Sequence, residues 1–173
     1  MKLPYFGYDL PDLTARIREA LADPLGGCMV EGMPCSEDNA ALEALCRELG
    51  EPLLEPHNLG GGMVCRVEVE QKQTRPYANT PWHFPGHTDC SDHARPPDTV
   101  LLLCEQPAAS GGGSFVAPLA QVLETLPLDD VFGLQEPQFF FRYGYLPILG
   151  LHRGRVGIRY NRVMLEMFTP PDQ

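Results

Sequence analysis

Apolar residues near the start of the chain recur at helical spacing. Leu13, Ile17 and Leu21 lie between Pro11, which is tolerated in a first helical turn, and Pro24, which ends the segment. This pattern predicts a first amphipathic helix.

Two further helices are predicted by the same periodicity. Ser36 can cap a second helix that carries Glu37 and Asp38 in its first turn and stops at Gly50. Its inner face would be formed by Leu42, Leu45, Cys46 and Leu49. A third short helix starts at Pro118 and has Leu119, Val122, Leu123 and Leu126 on one face.

Four segments have the pattern of strands. Residues 63–69 alternate between apolar and polar, as in a half-buried strand, and residues 100–104 form a continuous apolar run suited to a core strand. Residues 139–145 and 155–160 are rich in aromatic and β-branched residues and are predicted to be neighbouring strands. The segment from residue 71 to 97 has no such pattern, and loops of this length in compact domains are often functional.

Composition narrows the class of protein. With 17 Gly and 18 Pro among 173 residues, the chain favours a turn-rich β architecture in one domain, residues 1–173. A net charge of -10 opposes nucleic-acid binding, which depends on clustered Lys and Arg. No apolar stretch approaches the length of a membrane span, so we expect a cytoplasmic protein with no membrane partner. The six cysteines form no CxxC pair, and we expect reduced, mostly buried thiols.

The densest polar cluster is PWHFPGHTDCSDH, which allows two metal-binding interpretations. His83 and His87 are spaced like the histidines of a zinc-protease helix, but Pro85 and Gly86 between them oppose a helix and no Glu follows His83. If His87-Thr88-Asp89 is extended, its first and third side chains point to the same side. With one more His, they would form a two-His, one-carboxylate iron site that leaves three positions open. The tripeptide alone is a weak signal, because such pairs more often mark a hydrogen-bonded turn.

The residues around this tripeptide resemble the taurine dioxygenase and clavaminate synthase-like family. The similarity runs through HTDCSDHARPPDTVLLLCEQPAASGGGSFVAPLAQVLETL, where an HTD precedes prolines, an apolar strand, a Gly-Gly element and a helix. Upstream LGEP and downstream PILGLHRGRVGIRYN also resemble segments of that family, so the similarity covers about residues 10 to 165. A resemblance of this breadth supports metal binding by His87 and Asp89 much more strongly than the tripeptide alone does.

The resemblance implies a double-stranded β-helix, or jelly roll, that is mainly β with flanking helices. It implies iron(II) as cofactor and 2-oxoglutarate as co-substrate, with His87 and Asp89 as iron ligands and Ser114 bonding a 2-oxoglutarate carboxylate. Asn79, Trp82 and His83 stand where relatives often contact substrate, although loop packing explains Trp82 equally well. The expected reaction is oxidation of a small polar metabolite, such as an amino acid, a sulfonate or a natural-product intermediate, by O2. Homo-oligomerisation stays open.

The sequence departs from the family where the third iron ligand, a His, and the Arg that pairs with 2-oxoglutarate are expected. Neither is visible before the chain stops at FTPPDQ, and we expect that the family's C-terminal part is lacking. A rival interpretation makes His152 the third ligand and Arg159 or Arg162 the carboxylate partner. A competing function is a non-catalytic jelly-roll binding or interaction protein that has lost the C-terminal half of the site.

Overall fold

A computed structural model describes residues 2–54, 62–69, 80, 82–142, 144–152 and 154–168 of the chain. The chain divides into two compact units. Residues 1–65 and 101–121 form the first, and residues 66–100 and 122–173 form the second. The expectation of a single domain stays a prediction.

The first unit is built around two helices, as the periodicity predicts. Helix α1 spans Leu13–Ala22 and helix α2 spans Ala40–Leu49. Leu13, Ile17 and Leu45 form the buried cluster between them. The short parallel strands β1 (Tyr5–Gly7) and β2 (Met29–Glu31) complete this part of the unit.

The second helix begins later than its sequence indicates. Ser36 donates its hydroxyl hydrogen to the Asp38 carboxylate at 2.6 Å, and the helix starts after Asn39, which has a left-handed backbone with φ 54°. Ser36, Glu37 and Asp38 therefore form a turn ahead of the helix, and the predicted Ser36 cap is wrong. The side-chain hydrogen bonds within this turn explain why the helix starts later than predicted. Ser and Asp side chains can bind nearby polar groups in a turn instead of capping a helix.

Two of the predicted strands are not formed. Residues 63–69 and 100–104 have no strand pairing in the structure, and Leu102 is 82% exposed. A strand needs a hydrogen-bonded partner as well as an apolar pattern, and neither segment has such a ladder among the described residues. Helix α3 spans Leu119–Glu124 and matches the predicted third helix, although Leu126 lies beyond its end.

The second unit contains two antiparallel hairpins flanked by short helices. Strands β3 (Phe139–Phe141) and β4 (Gly144–Leu146) pair with each other, as do β5 (Leu149–His152) and β6 (Arg155–Ile158). The two aromatic segments predicted to be neighbouring strands thus belong to separate hairpins, because the chain turns back within residues 139–145, while residues 155–158 pair with β5. Helix α4 spans Leu128–Gly133, and helix α5, Arg162–Phe168, lies against β3.

Three two-stranded sheets and five helices are formed by the described residues, with no closed barrel among them. Flanking helices are confirmed, whereas the jelly roll stays an expectation. No described helix is long and apolar enough to cross a membrane.

The cysteines are free, but the expectation that most are buried is wrong. Cys35, Cys65 and Cys104 are exposed, and the other three are half-buried. Partial burial raises the pKa of the Cys28 and Cys46 thiols, since desolvation disfavours the thiolate.

Candidate metal centre

The imidazole of His87 and the carboxylate of Asp89 meet in the second unit. His87 Nε2 lies 3.3 Å from Asp89 Oδ1, and the two side chains are 24% and 45% exposed. Two donor atoms bound at about 2.1 Å to one octahedral metal ion would lie about 3 Å apart. The observed separation and the access from solvent therefore suit two adjacent ligands of one ion.

The orientation of the His87 ring is fixed by its neighbours in the chain. Its Nδ1 lies 2.9 Å from the carbonyl oxygen of Pro85, and its ring stacks on Phe84 with centroids 3.8 Å apart. A carbonyl oxygen can only accept, so Nδ1 carries the hydrogen and donates it. The other ring nitrogen, Nε2, faces Asp89 and would be the atom available to a metal ion, as in metal sites where a carbonyl sets the tautomer of a ligating His.

The backbone of this tripeptide is held by the segment that follows β6. His87 forms an antiparallel bridge with Asn161, and the Thr88 amide donates to the Tyr160 carbonyl at 2.6 Å. The Tyr160 amide donates in turn to the Thr88 hydroxyl oxygen at 2.9 Å. The tripeptide is thus extended at His87 and enters a turn at Asp89, which places both side chains on the same side.

The turn after Asp89 is compact and largely buried. Cys90 has a left-handed backbone with φ 51°, and the His93 amide donates to the Cys90 carbonyl at 3.0 Å. Ser91 is fully buried and Asp92 is 6% exposed. Arg159 donates from Nη1 to the carbonyl oxygens of Ser91 and His93. These hydrogen bonds hold the turn that follows Asp89.

Among the described residues, no group of three or more His, Cys, Asp or Glu could hold a metal ion. His152, the rival third ligand, has Nε2 within 3.2 Å of Asp98 Oδ1, although the contact lacks the alignment of a hydrogen bond. Arg159 and Arg162 are also engaged, the first with backbone carbonyls and the second with Glu166 at 2.7 Å. The two arginines thus have other partners in the described structure, whereas the His152–Asp98 contact resembles the His87–Asp89 contact in distance.

The remaining candidate residues are spread over the chain. Asn79 lies outside the described residues, while Trp82 is 64% exposed and His83 is exposed beside it. Ser114 is exposed in the first unit and comes after Gly111 and Gly112, which have left-handed φ values of 72° and 70°. The tripeptide and Ser114 thus belong to different units.

Several residues that hold His87 and the backbone of the tripeptide in place cannot be recognised from the sequence. Phe84 and Pro85 lie within the polar motif but carry no ligand atom of their own, and Tyr160 and Asn161 act through their backbone. For Tyr160 and Asn161, the sequence offers one indication, which is that the GIRYN segment containing them resembles a strand of the family. Backbone contacts of this kind have no residue-type signature.

An imidazole and a carboxylate that converge in this way could serve as two of the ligands of a single metal ion. Comparison with known families makes this specific. Residues 1–154 match the profile of the family described as taurine catabolism dioxygenase TauD, TfdA family, and the chain belongs to that family. Its members depend on iron(II) and 2-oxoglutarate. No curated protein and no solved structure matches the chain.

Proposed function

We propose that this protein is an Fe(II)- and 2-oxoglutarate-dependent dioxygenase in which His87 and Asp89 are two of the iron ligands. The observation that carries the proposal is the 3.3 Å approach of His87 Nε2 to Asp89 Oδ1, with Nδ1 already occupied by the Pro85 carbonyl. Membership of the dioxygenase family supports the same metal and co-substrate.

The donor set fits iron(II) in its chemistry. One neutral imidazole nitrogen and one carboxylate oxygen are two of the three protein donors of the facial triad that leaves open positions on non-haem iron. Bound iron(II) would supply the oxidation, in which 2-oxoglutarate and O2 yield succinate, CO2 and an oxidised C–H bond of the substrate.

Different residues of the chain are proposed to position the iron ligands, bind 2-oxoglutarate and contact the substrate. Phe84 and the Pro85 carbonyl hold the His87 ring in place, and the Tyr160–Thr88 bonds hold the backbone between the two ligands. We further propose that the Ser114 hydroxyl donates to a carboxylate of 2-oxoglutarate, as its place after the glycines implies. Trp82 and His83, with Asn79, are proposed to contact the substrate, a small polar metabolite such as an amino acid or a sulfonate.

Anaerobic titration of the purified chain with Fe(II) and 2-oxoglutarate tests the proposal. We expect saturable Fe(II) binding by calorimetry and a visible charge-transfer band when 2-oxoglutarate is added. His87→Ala and Asp89→Ala should each weaken Fe(II) binding by at least about tenfold, because each removes a ligand. Asp129→Ala, which removes an exposed carboxylate on α4, is the matched control and should bind like the wild type.

The outcomes separate an enzyme from a binding protein. Weakened binding in both ligand variants, with succinate released by the wild type in the presence of O2, would support the dioxygenase. A wild-type chain that binds no Fe(II), or one whose binding survives both substitutions, would contradict it. The non-catalytic alternative would then be favoured.

A further inference from the structure

Arg159 joins the turn after Asp89 to the core of the second unit through its charged side chain. It directly follows β6, and its amide donates to the Ile148 carbonyl at 2.9 Å. Its Nη1 donates to the carbonyl oxygens of Ser91 at 3.3 Å and His93 at 2.9 Å. These acceptors belong to the second and fourth residues after Asp89.

The guanidinium group is partly withdrawn from water. Its central carbon lies 5.9 Å from the centre of the Phe141 ring, which is fully buried. Partial burial lowers the pKa of Arg159 below its usual value, since desolvation disfavours the charged form. The two carbonyl oxygens and the ring face offset part of that cost, because hydrogen bonds from a charged donor are stronger than neutral ones.

Consecutive residues hold the backbone on both sides of Asp89. Asn161 and Tyr160 bind the chain before it, at His87 and Thr88. Arg159 binds the chain after it, at Ser91 and His93. Asp89 is therefore held between two anchors that come from one short segment, and Arg159 forms side-chain hydrogen bonds in the second anchor.

We propose that Arg159 is a positioning residue of the iron site, which holds the turn after Asp89 so that the Asp89 carboxylate faces His87 Nε2. This inference rests on the proposed function and deepens it. Arg159 itself does not touch the metal or the substrates, so its effect reaches the site through the backbone of residues 90–93. Removing its donors would free the turn and let the carboxylate leave the geometry that suits iron.

Three variants separate positioning from packing. Arg159→Met keeps most of the side-chain length against Phe141 but removes every donor, whereas Arg159→Lys keeps a charged donor. Arg155→Met, on the exposed part of β6, is the matched control. Each variant is checked for folding by circular dichroism and thermal unfolding. Anaerobic Fe(II) affinity and peptide-level hydrogen exchange of residues 84–96 without metal are then measured.

We expect Arg159→Met to bind Fe(II) about tenfold or more weakly, as for other groups that orient metal ligands, and to exchange faster over residues 88–93. Arg159→Lys should recover part of both properties, and Arg155→Met should match the wild type. Unchanged exchange or unchanged affinity in a folded Arg159→Met chain would overturn the proposal, as would a loss that Arg159→Lys does not relieve.

The two proposals fail in different ways. A wild-type chain that binds no Fe(II) refutes the proposed function, whatever the variants do. The exchange measurement needs no metal, and it still decides whether Arg159 holds the turn.

Discussion

At the scale of single residues, the centre depends on which atoms the chain leaves available. The Pro85 carbonyl oxygen accepts a hydrogen bond from Nδ1 of His87, and the other ring nitrogen, Nε2, faces Asp89. His152 Nε2 lies at a comparable distance, 3.2 Å, from Asp98 Oδ1, but that nitrogen is buried. The two histidines thus make similar contacts with a carboxylate and differ in the burial of Nε2.

Replacing His152 tests this distinction. His152→Ala should leave Fe(II) affinity within about twofold of the wild type, because the loss of a residue that is not a ligand costs far less than the tenfold expected for a ligand. Calorimetric titration beside His87→Ala provides the comparison. A loss for His152→Ala equal to that for His87→Ala would restore His152 as a third ligand.

The sequence predicts the ligand pair but not its supports. His87 and Asp89 are recognisable because imidazole and carboxylate at i and i+2 have a chemical meaning, and the family resemblance strengthens it. The role of Arg159 could not be predicted, since its acceptors are backbone carbonyls that every residue carries. The sequence suggests Arg159 only as a partner for a carboxylate of 2-oxoglutarate.

At the scale of elements, helices were predicted better than strands for a physical reason. The periodicity of α1 and α2 is local, and Leu13, Ile17 and Leu45 are buried as that periodicity requires. Strands depend on partners elsewhere in the chain, which is why residues 139–145 fold back on themselves as β3 and β4. Helix α4 was missed because its two short turns show no extended period.

The start of α5 is a second element-scale feature, and it is linked to the metal centre. Asn161 is buried, and its side-chain oxygen accepts from the Met164 amide at 3.2 Å, in the manner of a helix N-cap. Its backbone pairs with His87. One residue therefore begins the helix and supports the tripeptide.

Substitution of Asn161 tests the first of these roles, the helix cap. Asn161→Ala should lower the free energy of unfolding by about 1 kcal/mol, because the Met164 amide loses its acceptor. Asn161→Asp keeps an acceptor oxygen and should retain most of the stability. Urea denaturation followed by circular dichroism measures both variants. Equal losses in the two would show that the cap is not the cause.

At the scale of the whole molecule, the net negative charge should affect the stability of the folded chain. The net charge of -10 at pH 7 means that the folded chain repels itself. Added salt screens such repulsion, and the screening length falls to about 10 Å at 0.1 M. The same charge opposes binding to polyanions.

Thermal unfolding at two salt concentrations tests this property. Raising NaCl from about 10 mM to about 150 mM at pH 7 should raise the melting temperature, because screening favours the compact state. The matched measurement at a pH near the sequence pI of 4.8, where the net charge is close to zero, should show a much smaller change. A fall in melting temperature with salt at pH 7 would indicate that favourable ion pairs outweigh the repulsion.

The bonds between Thr88 and Tyr160 join residues that are 72 positions apart in the sequence. Closing so long a loop has an entropic cost that is recovered only when the surrounding contacts form, and such contacts slow folding. The pairing of His87 with Asp89 depends on those bonds for its backbone, so the metal centre should assemble among the last steps of refolding. In a refolding experiment, Fe(II) binding should therefore be detected later than the helical circular-dichroism signal. The time of Fe(II) binding would then mark the completion of the second unit.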